Sequence, residues 1–203
     1  MKIILFDLDR TLFDTDWYYE QIVDLIEGNT ELSEEAIRSF ILEYRANNRY
    51  GKWFNFLKFI DDVVENDTTK KEIVDTLKTD VSMYRLFEDV ELNLEQLQGL
   101  GYKMGVYSEG VPWFQELKLQ NTCLLDFLDT ELVFITEMKR AIEFLDTLPE
   151  SCVIVDDTPE VIEVLEKDGR FVPVWLNRKG VEWKYGREIG GLGELVDILA
   201  KPC

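Results

Sequence analysis

The tightest constraint on the fold is a recurring pattern. Short apolar runs at 3–6, 104–107, 132–135 and 152–155 each stop at a polar residue: Asp7, Ser108, Thr136 and Asp156. A fifth run, 171–176, follows the turn residue Gly169. Each run lacks the polar alternation of a strand with one wet face, so each reads as a strand buried on both faces. Such strands belong to parallel sheets, and the 3.6-period segments between them supply the crossover helices that parallel pairing requires. Leu94, Leu97 and Leu100 form the stripe of one such helix, closed by Gly101. Thr158-Pro159 offers an N-cap and a first-turn proline to another, which carries Val161, Ile162 and Leu165. An α/β fold follows, with a Rossmann-like parallel sheet flanked by helices.

Between about 14 and 84 no strand-like run occurs. Amphipathic helices are expected near 16–27, 33–47, 52–66 and 69–84. The second carries Ile37, Phe40, Ile41 and Tyr44 on one face, and Thr69-Lys70-Lys71-Glu72 reads as a capping box opening the fourth. The expected organisation is a Rossmann-like core of 1–13 and 87–203, with a helical bundle of 14–86 inserted after the first strand through hinges near 14 and 87.

Composition narrows the chemistry. The 203 residues include no histidine, which removes Ser-His-Asp and Cys-His catalysis and HExxH zinc sites. With 22 Lys+Arg against 41 Asp+Glu the net charge is −19. That field repels polyanions, so no nucleic-acid partner is expected. Cys123, Cys152 and Cys203 are too scattered for a disulfide framework, and neither Cys123 nor Cys152 begins a cysteine-phosphatase loop; Cys152 reads as a buried small apolar residue. A reducing cytoplasm fits best. An acid interrupts the N-terminal apolar run at Asp7, and no apolar stretch approaches the ~20 residues of a membrane span, so no export and no membrane partner is expected.

In open parallel sheets, ligands bind beyond the C-terminal ends of the strands. Asp7, Ser108 and Asp156 sit at three such ends and Lys139 lies shortly after a fourth, with Asp9 and Asp157 nearby. Several carboxylates converging at one sheet edge repel each other unless a hard cation lies among them, and oxygen ligation suits Mg²⁺. The hydroxyls of Thr11 and Ser108, backbone N–H groups at Ser108-Glu109-Gly110 and the Lys139 ammonium offer donors to an oxyanion such as phosphate. Each signal alone is weak; their order and placement carry the reading.

Phe6-Asp7-Leu8-Asp9-Arg10-Thr11-Leu12, Val106-Tyr107-Ser108-Glu109-Gly110, Lys139 and Val155-Asp156-Asp157 resemble, in that order, the four motifs of the haloacid dehalogenase (HAD) superfamily. Leu86-Phe87-Glu88-Asp89-Val90 and Val174-Trp175-Leu176-Asn177-Arg178 are similar to members with a helical cap between motifs one and two. The resemblance implies a phosphoric monoester hydrolase in which Asp7 is the nucleophile and Asp9 the general acid and base. It also implies Mg²⁺ held by Asp7, the Asp9 carbonyl, Asp156 and Asp157, and phosphate held by Thr11, Ser108, Glu109, Gly110 and Lys139. For its role Asp9 needs a raised pKa. Arg10 stands where many relatives have glycine and is expected to point away, Val155 replaces another common glycine, and Arg140 is a candidate to share the role of Lys139. An acid at Asp9 argues against a dehalogenase, which has a non-acidic residue there. A carbon–phosphorus hydrolase would need a Schiff-base lysine from the cap, for which Lys52 and Lys58 are unmarked.

From Tyr44 to Ile60 there are four basic residues and no acid, interleaved with aromatics. Either the aromatics form the cap's core with the cations in solvent, or part of the segment faces the sheet. In the second case Tyr18, Arg45, Arg49, Lys52 and Trp53 would recognise an anionic or ring-bearing substrate. The expectation is a Mg²⁺-dependent phosphatase acting on a small phosphorylated metabolite. A phosphotransferase or sugar-phosphate mutase, and a non-catalytic phospho-ligand binder, stand as alternatives. Trp183, Tyr185 and Gly186 read as a loop before a last helix, Leu192–Leu199.

Overall fold

The computed structural model describes residues 2–47, 55–182 and 187–200, without the side chains of 45–47. Six strands form one sheet: β1 (Ile3–Phe6), β2 (Lys103–Glu109), β3 (Leu128–Thr136), β4 (Val153–Asp156), β5 (Val172–Leu176) and β6 (Arg187–Ile189). Their order is β3-β2-β1-β4-β5-β6, and every neighbouring pair is parallel. This is the expected Rossmann-like α/β sheet. β3 starts earlier than its apolar run, and β6 escapes the sequence pattern because only Ile189 of its three residues is buried. Central β1 is buried on both faces: Ile4 and Phe6 join one apolar cluster, Ile3 and Leu5 the other. Beside it, Gly105 admits β3 at a register shift between Met104 and Val106, and a Cβ there would lie 2.2 Å from the Leu132 carbonyl oxygen.

Between β1 and β2 lie α1 (Thr15–Asn29), α2 (Glu34–Asn47), α3 (Phe56–Val63), α4 (Asp67–Thr79), a 3₁₀ turn (Val81–Met83) and α5 (Val90–Gly99). α1 packs on α2 and α4, and α3 packs on α2 and α4. Two sequence expectations shift here. Asn66, not a Thr69 capping box, opens α4: its side chain accepts the N–H groups of Thr68 (2.9 Å) and Thr69 (3.0 Å), leaving Thr69 inside the first turn. α4 also stops short of 84, because Asp80 accepts the Ser82 N–H at 3.0 Å and starts the 3₁₀ turn.

The chain leaves and re-enters the sheet side by side. The Asp14 N–H donates to the Arg85 carbonyl (2.9 Å), the Phe87 N–H to the Leu12 carbonyl (3.1 Å), and the Arg85 guanidinium to the Asp14 carboxylate (3.1 Å). Above this crossing, Phe13, Tyr18, Tyr84, Phe56 and Phe114 make one aromatic run. Tyr18 meets Phe13 edge-on at 5.3 Å and Tyr84 at 5.1 Å, while Phe56 stacks on Phe114 at 6.0 Å. The inserted helices therefore share a continuous apolar core with one face of the sheet.

The remaining helices are α6 (Pro112–Gln120), α7 (Ile142–Leu145), α8 (Pro159–Asp168) and α9 (Leu192–Leu199). Thr158 and Pro159 occupy the expected N-cap and first position of α8, but the threonine hydroxyl donates to Asp157 (3.2 Å) rather than capping the helix. Gly169, at φ 74°, takes the left-handed turn that ends α8. Cys152 is fully buried, as its sequence context implied. Among the described residues no helix is long and apolar enough to cross a membrane.

Candidate active site

Asp7 leaves β1 with its N–H donated to the Val155 carbonyl (2.8 Å), which places its carboxylate at the C-terminal edge of the sheet beside the end of β4. Lys139 reaches it from the loop after β3. Its ammonium lies 2.8 Å from Asp7 Oδ1 and 2.5 Å from Asp156 Oδ2. That loop is pinned at Lys139 itself, whose N–H donates to Glu109 Oε2 (2.7 Å) and whose carbonyl accepts the Tyr107 hydroxyl. A lysine that could have been an exposed helix-start residue is thus only 5% exposed. The second Asp156 oxygen accepts the Thr158 N–H at 2.8 Å, and the Trp175 indole donates to the Asp157 carbonyl at 3.1 Å, steadying the β4 end.

Asp7, Asp156 and Asp157 bring carboxylate oxygens within 4.8 Å of one another. Burial, then the charges of Asp156 and Asp9, raise the Asp7 carboxyl to about 7 despite Lys139. Burial and the Asp7 charge raise Asp157 to about 6, and burial raises Asp156. Burial would lower Lys139, but Asp156 and Asp7 outweigh it and push the ammonium up.

Asp9 is treated differently. It faces the same cavity, 27% exposed, and accepts from Thr15 Oγ1 (2.7 Å), Gln115 Nε2 (2.7 Å) and the Lys118 ammonium (2.6 and 2.8 Å). Burial would raise its pKa; the Lys118 charge and these hydrogen bonds prevail and lower it. The expectation of a raised Asp9 pKa is corrected: the fold sets an ammonium against it. Arg10 follows in a left-handed conformation, φ 62°, a backbone region that glycine adopts without steric cost. It does not point away. Its guanidinium binds Asp16 (3.1 Å) and the residue lines the cavity, which holds about 600 Å³.

The sequence profile of the haloacid dehalogenase-like hydrolases matches residues 4–164, from β1 into α8. The chain belongs to this family. Among solved structures it is similar to a HAD phosphatase from Thermococcus onnurineus, with 27% identity, a TM-score of 0.69 and 98% of each chain covered. It also shares its fold with the HAD hydrolase YfnB from Bacillus subtilis bound to magnesium, with 17% identity, a TM-score of 0.69 and 98% and 99% covered. A third match is the L-2-haloacid dehalogenase from Xanthobacter autotrophicus, with 16% identity, a TM-score of 0.62 and 98% of each chain covered. No curated protein matches the chain in sequence.

In this HAD-like hydrolase the cavity collects Asp7, Asp9, Glu109, Gly110, Lys139 and Asp157, with Ser108 and Asp156 buried directly behind them. Ser108 Oγ accepts from Gln115 Nε2 at 2.9 Å. Two expected phosphate donors and one expected specificity residue are placed otherwise. The Gly110 N–H donates to the Thr136 carbonyl (2.9 Å), so it is committed to the β2–β3 edge. Thr11 Oγ1 is buried without a partner and away from the cavity lining, and the Thr11 carbonyl accepts from Arg178 (3.0 Å). Tyr18 is 1% exposed inside the aromatic run, and its neighbour Tyr19 lines the cavity instead. Arg140 is exposed at the cavity mouth, while Lys139 makes both ion pairs. The Arg45 side chain, Arg49, Lys52, Trp53, Trp183, Tyr185 and Gly186 lie outside the described residues.

The sequence reading missed Thr15, Tyr19, Gln115 and Lys118. A signal existed for two of them: Gln115 and Lys118 stand three apart, alongside Phe114 and Leu117, on the buried face of α6. Polar residues on an apolar helix face need partners inside.

Proposed function

We propose that the chain is a Mg²⁺-dependent phosphatase that hydrolyses a small phosphorylated metabolite through an aspartyl-phosphate on Asp7. One observation carries this reading: two separate carboxylates, Asp7 and Asp9, face one cavity, each beside its own buried lysine. A halide leaves as a weak base and needs no proton, so a dehalogenase has no use for the second acid, which would also repel a 2-haloacid. A phosphate ester expels a basic oxygen and does need one. The 27% identity to a HAD phosphatase supports the same side.

The donor set fits a hard cation, since Asp7, Asp156 and Asp157 crowd their oxygens and two of them are driven toward protonation without one. Mg²⁺ held by these three carboxylates, with the Asp9 carbonyl, would offset the repulsion between a carboxylate nucleophile and a phosphate dianion. An Asp7 oxygen attacks phosphorus in line, forming the acyl-phosphate bond as the ester oxygen leaves and takes the proton of Asp9. Asp9 then removes a proton from water as it attacks the phosphorus, which returns Asp7 as carboxylate and releases phosphate. Asp9 starts as a carboxylate paired with Lys118 and takes up one proton from solvent as the dianion arrives, because the added negative charge favours its protonated form. Lys139 holds Asp7 and faces the phosphoryl oxygens from the cavity wall, with Ser108 behind it at the end of β2.

On this reading 14–86 is a cap over a 1–13 and 87–203 core, admitting small molecules through the mouth beside Tyr19, Arg10 and Arg140. The protein works in the cytoplasm. The test is phosphate release from a panel of phosphomonoesters, with Mg²⁺ or EDTA, alongside halide release from 2-haloacids. Phosphate release that needs Mg²⁺ and falls at least ~10³-fold in Asp7→Asn is the expected result. Halide release, or transfer of phosphate to an acceptor other than water, would overturn it.

A further inference from the structure

The Gln115–Lys118 pair belongs to none of the four motifs, yet it makes most of the contacts to Asp9. Lys118 is 3% exposed on a helix whose other inward residues, apart from Gln115, are the apolar Phe114, Leu117 and Leu119. Its ammonium lies 5.4 and 5.0 Å from the ring centres of Phe13 and Phe114 before it reaches both Asp9 oxygens. Burying an ammonium costs several kcal/mol unless its partners are well placed, and a structural helix contact at this site could be made by leucine. Gln115 completes the arrangement. Its carbonyl oxygen accepts from Lys118 (2.7 Å), while its amide nitrogen lies 2.7 Å from Asp9 Oδ2 and 2.9 Å from Ser108 Oγ. Gly110 is the space for that amide, since a Cβ there would lie 2.8 Å from Gln115 Nε2. With Thr15 on the opposite side, the Asp9 carboxylate has donors on both oxygens and one orientation on the cavity wall.

We propose that Gln115 and Lys118 are positioning residues for the proton-transfer step, holding the Asp9 carboxylate in register with Ser108 at the end of β2. This rests on the phosphatase reading and adds to it: α6, rather than the first-motif turn alone, sets where the acid stands. Their polar atoms are spent on Asp9, on Ser108 and on each other, so both residues act through the groups they hold.

The test compares two leaving groups. Dinitrophenyl phosphate expels a stable phenolate and needs no proton, whereas an alkyl phosphate does. Single-turnover release of each alcohol is measured for wild type, Asp9→Asn, Lys118→Met and Gln115→Met. Expected is a loss on the alkyl ester of roughly 10²-fold in Lys118→Met and roughly 10-fold in Gln115→Met, with under about 3-fold on the dinitrophenyl ester, the pattern of Asp9→Asn. Equal losses on both esters, or no loss, would overturn the proposal, because a general distortion of the fold does not distinguish leaving groups. If Lys118→Met does not fold, Gln115→Met, which keeps the ion pair, decides by the same comparison. A folded wild type that turns over neither ester overturns the phosphatase reading itself, and this inference with it.

Discussion

Divalent-cation binding should depend steeply on pH, with a size set by the carboxylate cluster. A carboxyl whose pKa is raised in the folded state binds its proton more tightly than the unfolded chain does. The stability these two carboxyls contribute to the metal-free protein is therefore fully present below about pH 4 and is lost as pH rises through the folded values, about 7 for Asp7 and about 6 for Asp157. A cation must displace those protons. At pH 8 both groups are ionised and Mg²⁺ binds without competition. At pH 5, two pH units below Asp7 and one below Asp157, affinity falls by roughly 100-fold times 10-fold, or about 10³. Mg²⁺ at 100 times its pH 8 dissociation constant contributes about 2.7 kcal/mol at pH 8. For a chain of 203 residues this raises Tm by roughly 5–10 °C, whereas at pH 5 the same concentration gives under about 0.1 kcal/mol and no measurable shift. Scanning calorimetry with Mg²⁺ or EDTA at the two pH values reads this directly, and the pH 8 shift should vanish in Asp157→Asn. An equal rise at both pH values, or one that survives Asp157→Asn, would refute the assignment of the cation to this cluster.

Two further outcomes follow from close approaches in the backbone. Gly105→Ala sets a Cβ 2.2 Å from the Leu132 carbonyl and 2.4 Å from its Cβ, where only backbone can yield, so chemical denaturation should report a loss of about 3 kcal/mol. Gly110→Ala meets instead the flexible end of Gln115 at 2.8 Å, so stability should fall by only about 1 kcal/mol while kcat drops roughly 10-fold as the amide leaves Asp9.

Much of this protein is legible along the chain because its signals are local. Apolar runs of strand length, each ended by an acid, serine or threonine, prescribe the parallel sheet, and parallel pairing forces Asp7, Ser108 and Asp156 to one edge. Short polar elements carry no such signal: β6 hides behind Arg187 and Glu188, and α4 takes its cap from Asn66 where a Thr-x-x-Glu pattern competes for the same turn. Tyr18 and Tyr19 are adjacent, and the direction each side chain takes is settled by packing against Phe13, Tyr84 and Phe114. Sequence alone determined five of the sheet's strands, the run of helices between the first two and the identity of the carboxylates at its edge. Their protonation was decided only by tertiary structure. Lys118 meets Asp9 across 109 positions and Lys139 meets Asp7 across 132. The charge a carboxylate carries depends on the burial and charges around it in space, and no pattern along the chain encodes that distance.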